Sequence, residues 1–235
     1  MRLKRTKEII LEALRATVPV MAGYLVLGMG FGILLRTKGY DVWWALAMSG
    51  FIYAGSMQYL TIDLLTGGAS LITAAITTLL VNARHLFYGI SMVEGYRKLG
   101  KEKPYAIFAL TDETYSLVCQ DDQHPNPDDY RRYVFWVSLC DQCYWVTGSL
   151  VGALLGSIIP FDATGIDFSL TALFLTVFIE QWLSTKDHAS ALIGVIASVL
   201  CVVVFGPANF LLPAMAAILI SLTVLRAVRK EDAHA

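Results

Sequence analysis

The chain has 235 residues, with 18 Lys or Arg against 19 Asp or Glu, for a formal net charge of −1. Apolar types make up 56% and charged types 16%, against roughly 45–50% and ~25% in soluble domains. This excludes collagen-like, disordered and disulfide-rich secreted classes, and the near-neutral balance lacks the clustered basic surface of a nucleic-acid binder.

In chain order, residues 1–15 form a basic, amphipathic N-terminus holding Arg2, Lys4, Arg5, Lys7 and Arg15. Runs long and apolar enough to span a bilayer follow at 16–35, 42–62, 64–93, 133–159, 168–183, 189–205 and 209–225. A signal peptide would supply one such run near the N-terminus, whereas these recur along the chain. The expected fold is all-α: a polytopic helical membrane protein of about seven apolar segments, some broken or re-entrant, forming a single integral membrane domain over 1–235. The first segment contains Pro19, Gly23, Gly28, Gly30 and Gly32 and reads as a poor continuous helix and a good broken one. The last two, inside a run with no Asp, Glu, Lys or Arg from 188 to 225, are joined by turn residues at 206–209 and predict a hairpin. Residues 120–132, with two prolines and six charges, read as a polar loop between two halves. An inverted repeat would suit that division, but no residue-level repeat is evident.

Basic residues near span ends stay in the cytoplasm. Counting back from a cytoplasmic tail puts Arg131, Arg132, the basic residues at 97–103, Arg36 and Lys38 inside, but seven spans then leave the basic N-terminus outside. Either the first segment does not cross fully, or 104–119 crosses as an eighth, short span.

Ionisable and polar side chains within apolar segments cost ~2.5–3.5 kcal/mol at a helix centre and mark functional candidates. Tyr53, Gly55, Ser56 and Gln58 offer hydroxyl, amide and freed backbone groups where small residues favour unwinding, and suit an α-carboxylate or α-ammonium group; close helix packing explains the same residues. Asn82, Arg84 and Tyr88 follow, with Arg84 suited to a carboxylate clamp or to snorkelling, and His85 to proton relay or a simple hydrogen bond. Asp112 and Glu113, adjacent in the apolar stretch 105–119, repel one another and lose hydration, which favours a shared proton; as an interfacial helix they would simply be solvated. Asp141 and the Glu180-Gln181 pair complete the set. Cys140-Asp-Gln-Cys143 has the spacing of a redox or zinc pair, but no second pair exists in the sequence, so packing is the preferred reading and neither metal nor cofactor is expected. Gly148, Gly152 and Gly156 form a close-contact face able to take a partner subunit.

Phe51-Ile-Tyr-Ala-Gly-Ser-Met-Gln58, Asn82-Ala-Arg-His-Leu-Phe-Tyr-Gly89 and Leu110-Thr-Asp-Glu-Thr114 are similar to the characteristic blocks of the AzlC family, in the same order. The resemblance implies the large subunit of a cytoplasmic-membrane, multi-pass exporter of leucine, isoleucine, valine and sometimes methionine, driven by the proton gradient and working with a small AzlD-type membrane subunit. On that reading Tyr53, Gly55, Ser56, Gln58, Asn82, Arg84 and Tyr88 bind substrate and Asp112, Glu113 and His85 couple the proton. The alternatives are a channel or exporter for another small zwitterion and an intramembrane enzyme, the latter without a His-Glu-x-x-His or Gly-x-Ser-x-Gly motif.

Overall fold

The computed structural model describes residues 6–119, 126–158, 187–206 and 210–232, with scattered positions between 168 and 185. Glu180, Gln181, the turn residues 207–209 and the side chain of Arg84 lie outside the described residues. Every regular element among the described residues is helical, and the chain forms two compact units, Met1–Leu170 and Thr171–Ala235.

The first unit is organised on two long helices, α1 (Thr6–Thr37) and α8 (Pro127–Ile158), each of 32 residues and so ~48 Å long. The expectation of a broken first segment is overturned: α1 runs through Pro19 without ending and is long and apolar enough to cross a bilayer alone. Its glycines serve contact instead of a break. A Cβ on Gly28 would meet the backbone of Trp145, Gly148 and Ser149 at 3.0–3.2 Å, and one on Gly32 would collide with the Ser149 carbonyl oxygen. Gly148 and Gly152 stand in the same relation to Tyr24, Leu25 and Met29 of α1, and Gly156 to Arg36. The face expected to take a partner subunit is therefore occupied within the chain.

These contacts are reciprocal. Adding 120 to a position on α1 gives its counterpart on α8, and Gly28 meets Trp145 while Gly148 meets Leu25, as in an isologous two-fold interface. The same shift aligns Tyr24 with Tyr144, Val26 with Val146, Leu34 with Leu154 and Leu35 with Leu155, a short residue-level repeat that a whole-chain comparison misses. Contacts rise together along both helices, so α1 and α8 are parallel and their N-termini share one end.

That end collects the basic residues. Ile9 and Ala13 of α1 share a buried cluster with Tyr130, Val134 and Val137 of α8, and Arg131 pairs with Glu102 at 3.6 Å. Pro127 opens α8, with Asp128 and Asp129 in its first turn and the Asn126 side chain accepting the Asp128 N–H at 3.0 Å, a favourable start for a helix. Residues 127–132 thus belong to α8 and not to the polar loop. Arg36, at the far end beside Gly156, is not on the side of Arg131 as the charge count required.

Two helical hairpins enter this pair from opposite ends. From the far end, α2 (Val42–Phe51) runs inward to Gly50, whose carbonyl accepts from Gln142. Then α3 (Gly55–Thr66) returns: a Cβ on Gly55 would come within 3.0 Å of the Trp145 ring, the Tyr59 hydroxyl donates to the Leu27 carbonyl at 2.8 Å, and Ile62 joins the cluster of Phe31, Leu34 and Leu35. From the basic end, α6 (Lys103–Phe108) rises from Ala106 beside Tyr130 to Ala109 in the Trp145 cluster. Helix α7 (Asp112–Val118) descends again to Val118, whose carbonyl accepts from Tyr130 at 3.0 Å. Residues 104–119 therefore enter and return; their 6 and 7 helical residues would reach only ~20 Å if end to end. Between the hairpins, α4 (Leu71–Val81) and α5 (Arg84–Arg97) carry the chain from the far end to the basic end, where Met92, Tyr96 and Leu99 are buried.

In the second unit, α9 (Ala189–Phe205) and α10 (Leu211–Asp232) pack on each other, and Gly206 takes φ +75°, a value open to glycine. Many large apolar side chains face out, with Phe51 84% and Leu71 89% exposed, while the polar Ser49, Gln58, Ser138 and Asp141 are 0% exposed. Large apolar side chains facing out and polar ones facing in suit hydrocarbon surroundings. The protein is a helical membrane protein.

Two outcomes are expected. In a background without the native cysteines, Lys7→Cys, Lys101→Cys and Asp128→Cys label from one side of sealed vesicles, and Lys38→Cys and Ala69→Cys from the other; labelling of positions 38 and 101 from one side contradicts the hairpin topology. Gly32→Ala or Gly152→Ala lowers stability by about 1–3 kcal/mol in detergent melts, whereas Gly23→Ala, whose Cβ meets nothing within 4 Å, gains up to ~1 kcal/mol from helix propensity.

Candidate functional site

The tips of the two hairpins meet beside the middle of α1 and α8. The first tip is 52–54, where Tyr53 has φ +44°, the only positive φ of a non-glycine among the described residues. A bulky residue adopts this conformation at a cost of order 1–3 kcal/mol, offset by its surroundings. Tyr53 is 4% exposed, and Ala54 supplies no side-chain cap to α3. At the second tip, 109–111, Thr111 caps α7 by accepting the Thr114 N–H at 3.3 Å. The rings of Tyr53 and Phe108 are 6.2 Å apart.

A polar chain crosses this junction. Tyr24 of α1 donates to Glu113 Oε2 at 2.7 Å and shares a 2.7 Å hydrogen bond with the Thr111 hydroxyl. Thr111 Oγ1 lies 3.2 Å from Thr114 Oγ1, and Thr114 donates to Asp141 Oδ2 at 2.7 Å. The other Asp141 oxygen and the Ser138 hydroxyl, one turn earlier on α8, are buried with no hydrogen-bond partner among the described residues. Tyr53, Tyr105 and Glu113 all lie close enough to Asp141 or Tyr53 to interact electrostatically.

Neighbouring residues on α8 fasten the hairpins. Gln142 accepts from the Tyr105 hydroxyl at 2.8 Å and donates to the Gly50 carbonyl at 3.2 Å, joining one hairpin to the other. Trp145 Nε1 donates to Gln58 Oε1 at 2.8 Å, and Gln58 donates to Ser49 at 3.1 Å. Gln58 is thereby a cross-link between α2, α3 and α8, while Gly55 gives the Trp145 ring room to approach.

The expected site residues fall into two groups. Tyr53, Gly55, Ser56, Gln58, Asp112 and Glu113 lie on the two hairpins at or next to the tips, with Asp112 and Glu113 half-buried in the first turn of α7. Asn82, His85 and Tyr88 lie at the α4–α5 junction, where the Asn82 carbonyl accepts the His85 amide at 2.9 Å and lies 3.2 Å from its Nδ1. This group reaches the hairpins through Tyr88, whose ring stacks on Tyr115 of α7 at 4.8 Å. Arg84 opens α5. Phe51, 84% exposed, turns away from the interior.

Sequence reasoning missed Tyr24, Thr111, Thr114, Ser138 and Gln142, and Asp141, only eight residues into its apolar run, reads from the sequence as close to the membrane surface. The apolar run begins at 133, but the helix begins at Pro127, so Asp141 is the fifteenth of 32 residues. A helical stripe through Tyr130, Val134, Val137, Asp141, Trp145 and Gly148 was the available signal. The residues between Cys140 and Cys143, and not the cysteines, contribute here; no His/Cys/Asp/Glu group fit for a metal occurs among the described residues.

Residues 19–159 match the family described as AzlC protein. The chain is 44% identical over 210 residues to the branched-chain amino acid transport protein AzlC of Bacillus subtilis, covering 89% of this chain and 82% of that protein. It is 40% identical to an uncharacterized membrane protein of Helicobacter pylori (92% and 94% covered) and 39% identical to one of Haemophilus influenzae (92% and 90% covered). No solved structure matches.

Replacing Gln58 by Leu leaves the buried Trp145 N–H and Ser49 hydroxyl without this partner. The expected loss is about 1–3 kcal/mol, measured as a lower melting midpoint in detergent.

Proposed function

The chain belongs to the AzlC family, and from that premise we propose that it is a secondary exporter of branched-chain amino acids, and not an enzyme, in the cytoplasmic membrane. The observation that carries the reading is the meeting of two re-entrant hairpin tips at a buried polar junction. Backbone amides at a helix start and carbonyls at a helix end, both freed by a break, are the groups that hold the carboxylate and ammonium of a zwitterion at mid-membrane. The positive end of α3, at Gly55 and Ser56, suits the α-carboxylate. The carbonyl ends of α2 and α6, with Tyr53 between them, suit the α-ammonium group. Phe108 and Tyr53 offer an apolar wall for a branched side chain.

Asn82, Arg84 and Tyr88 form the second part of the proposed substrate path, with His85, Asp112 and Glu113 in proton coupling. Hairpins entering from opposite ends suit alternating access, since each can open its own side. The basic end, with Lys7, Arg15, Lys101, Lys103, Arg131 and Arg132, is the cytoplasmic one by the positive-inside rule. With the N-terminus inside, its five basic residues fit that rule, while Arg36 and Lys38 fall at the opposite end. A small AzlD-type membrane subunit completes the transporter. The exposed apolar faces of α2 and α4, with Trp43 70% and Leu71 89% exposed, leave room for it or for lipid.

Co-expressed with such a subunit and reconstituted, the protein is expected to move labelled leucine against its gradient under an imposed pH gradient. Transport should saturate and be reduced about tenfold or more by excess unlabelled isoleucine or valine, since a carrier's sites are few. Non-saturable leucine flux points to a channel, and no flux of any branched-chain amino acid contradicts the proposal.

A further inference from the structure

The chain of hydrogen bonds from Glu113 to Asp141 has a proton count that constrains its state. It runs Glu113, Tyr24, Thr111, Thr114, Asp141, with oxygen separations of 2.7, 2.7, 3.2 and 2.7 Å. Four hydrogen bonds need four protons, and a hydroxyl donates only one. Tyr24, Thr111 and Thr114 supply three. With both carboxylates ionised, one link has two oxygens facing each other and no hydrogen between them. If Tyr24 donates to Glu113 and Thr111 to Thr114, that link is the buried 2.7 Å Tyr24–Thr111 pair; if Thr111 donates to Tyr24 instead, it is the 3.2 Å Thr111–Thr114 pair. Such a contact in a site of low dielectric is repulsive and costly.

We infer that Glu113 and Asp141 share one proton along a wire through Tyr24, Thr111 and Thr114, and that Asp141 is the buried terminus of that wire. With the proton on Glu113, every bond points toward Asp141: Glu113 donates to Tyr24, Tyr24 to Thr111, Thr111 to Thr114, and Thr114 to Asp141. With the proton on Asp141, every bond points the other way. Passing between the two states breaks four O–H bonds and forms four. The net change is a carboxylic acid at Glu113 and a carboxylate at Asp141 becoming a carboxylate at Glu113 and a carboxylic acid at Asp141. No co-reactant is needed. The two termini differ as the ends of a wire should. Glu113 is half-buried, whereas Asp141 is 0% exposed and its second oxygen is unpartnered beside the hairpin tips. The Thr111–Thr114 step, at 3.2 Å, is the longest of the four and exceeds an ordinary O–H···O bond.

The groups facing Asp141 are Tyr53 from the first hairpin, Tyr105 from α6, Glu113 from α7, and Tyr133, Cys140 and Tyr144 from α8 itself; Tyr24 of α1 joins through the wire. None is a cation, so nothing among them replaces the proton as counter-charge. The wire spans three elements, α1, α7 and α8, so movement of the α6–α7 hairpin breaks it. Asp141 would then exchange its proton by way of its second oxygen at the tips. As a coupling device this rests on the exporter reading above; as a proton-sharing pair it stands by itself.

The test is infrared difference spectroscopy of the reconstituted full-length protein at neutral pH, comparing wild type with Asp141→Asn and Glu113→Gln. The wild type should show the C=O band of a buried carboxylic acid. Each amide donates the fourth proton itself, so either single variant should lose that band while keeping all four bonds and eluting as wild type. Tyr24→Phe cuts the wire, and two hydroxyls then serve the two bonds left toward Asp141, so it should lose the band too. Absence of the band in wild type means that the Thr111–Thr114 link is open and three protons suffice, which overturns the inference. Persistence of the band in either amide variant puts the proton elsewhere and also overturns it. A wild type that shows the band but moves no leucine keeps the wire and removes the exporter reading. In a transporting wild type, each of the three variants should cut pH-driven leucine flux about tenfold or more; undiminished flux in all three removes the wire from coupling.

Discussion

The structure depends on the absence of side chains where α1 and α8 touch. Gly28 and Gly32 on one helix and Gly148 and Gly152 on the other let the two backbones approach to a distance at which a single Cβ would collide with a carbonyl. In hydrocarbon there is no hydrophobic gain from bringing two apolar helices together, so close packing of backbone on backbone is what holds them. The contact is also directional. The glycines recur with the same shift on both helices, and the parallel, in-register arrangement brings them face to face.

Everything at the centre follows from that pairing. The stripe of α8 that carries its glycines also carries Trp145 and Asp141, and the stripe of α1 that carries Gly28 also carries Tyr24. Holding the helices in register puts Tyr24 and Asp141 at one level, where α7 can bridge them through Glu113, Thr111 and Thr114. The same level receives the first hairpin, because Gln142 and Trp145 are close to Asp141 in the chain and bond to Gly50 and Gln58. Two breaks in helices, costly in lipid when exposed, are tolerated because each tip is enclosed by protein. Backbone strain at Tyr53 sits at the same point, as strained residues often do where surrounding contacts over-determine them.

Glycine shows how the same residue can be read two ways. In 16–35 the concentration of glycine and proline predicts a broken helix, yet these glycines pack and the helix continues. At 50–58 glycine again signals unwinding, and there the chain does turn back, between Phe51 and Gly55. Local sequence does not distinguish the cases, since the difference is whether a second backbone lies opposite. Gln58 is similar: an amide in an apolar segment reads equally as a ligand-binding group or as glue, and only the positions of Trp145 and Ser49 give it the second role. Asp141 reads as interfacial because hydropathy dates a helix from its first apolar residue, whereas Asn126, Pro127 and Asp128 start this one nearly two turns earlier.

The sequence by itself determined the class of protein, the helical content and the family, because lipid imposes a composition and the blocks around Tyr53, Arg84 and Glu113 are distinctive. It also contained the repeat linking 24–35 to 144–155, too short to stand out without the contact that explains it. The tertiary structure alone decided that 104–119 enters and returns, that the basic N-terminus shares an end with Arg131, and that Glu113 is joined to Asp141. Those facts depend on which backbones lie side by side across more than a hundred residues of chain. Hydropathy and charge are sums over neighbours in sequence, and they carry no information about such pairs.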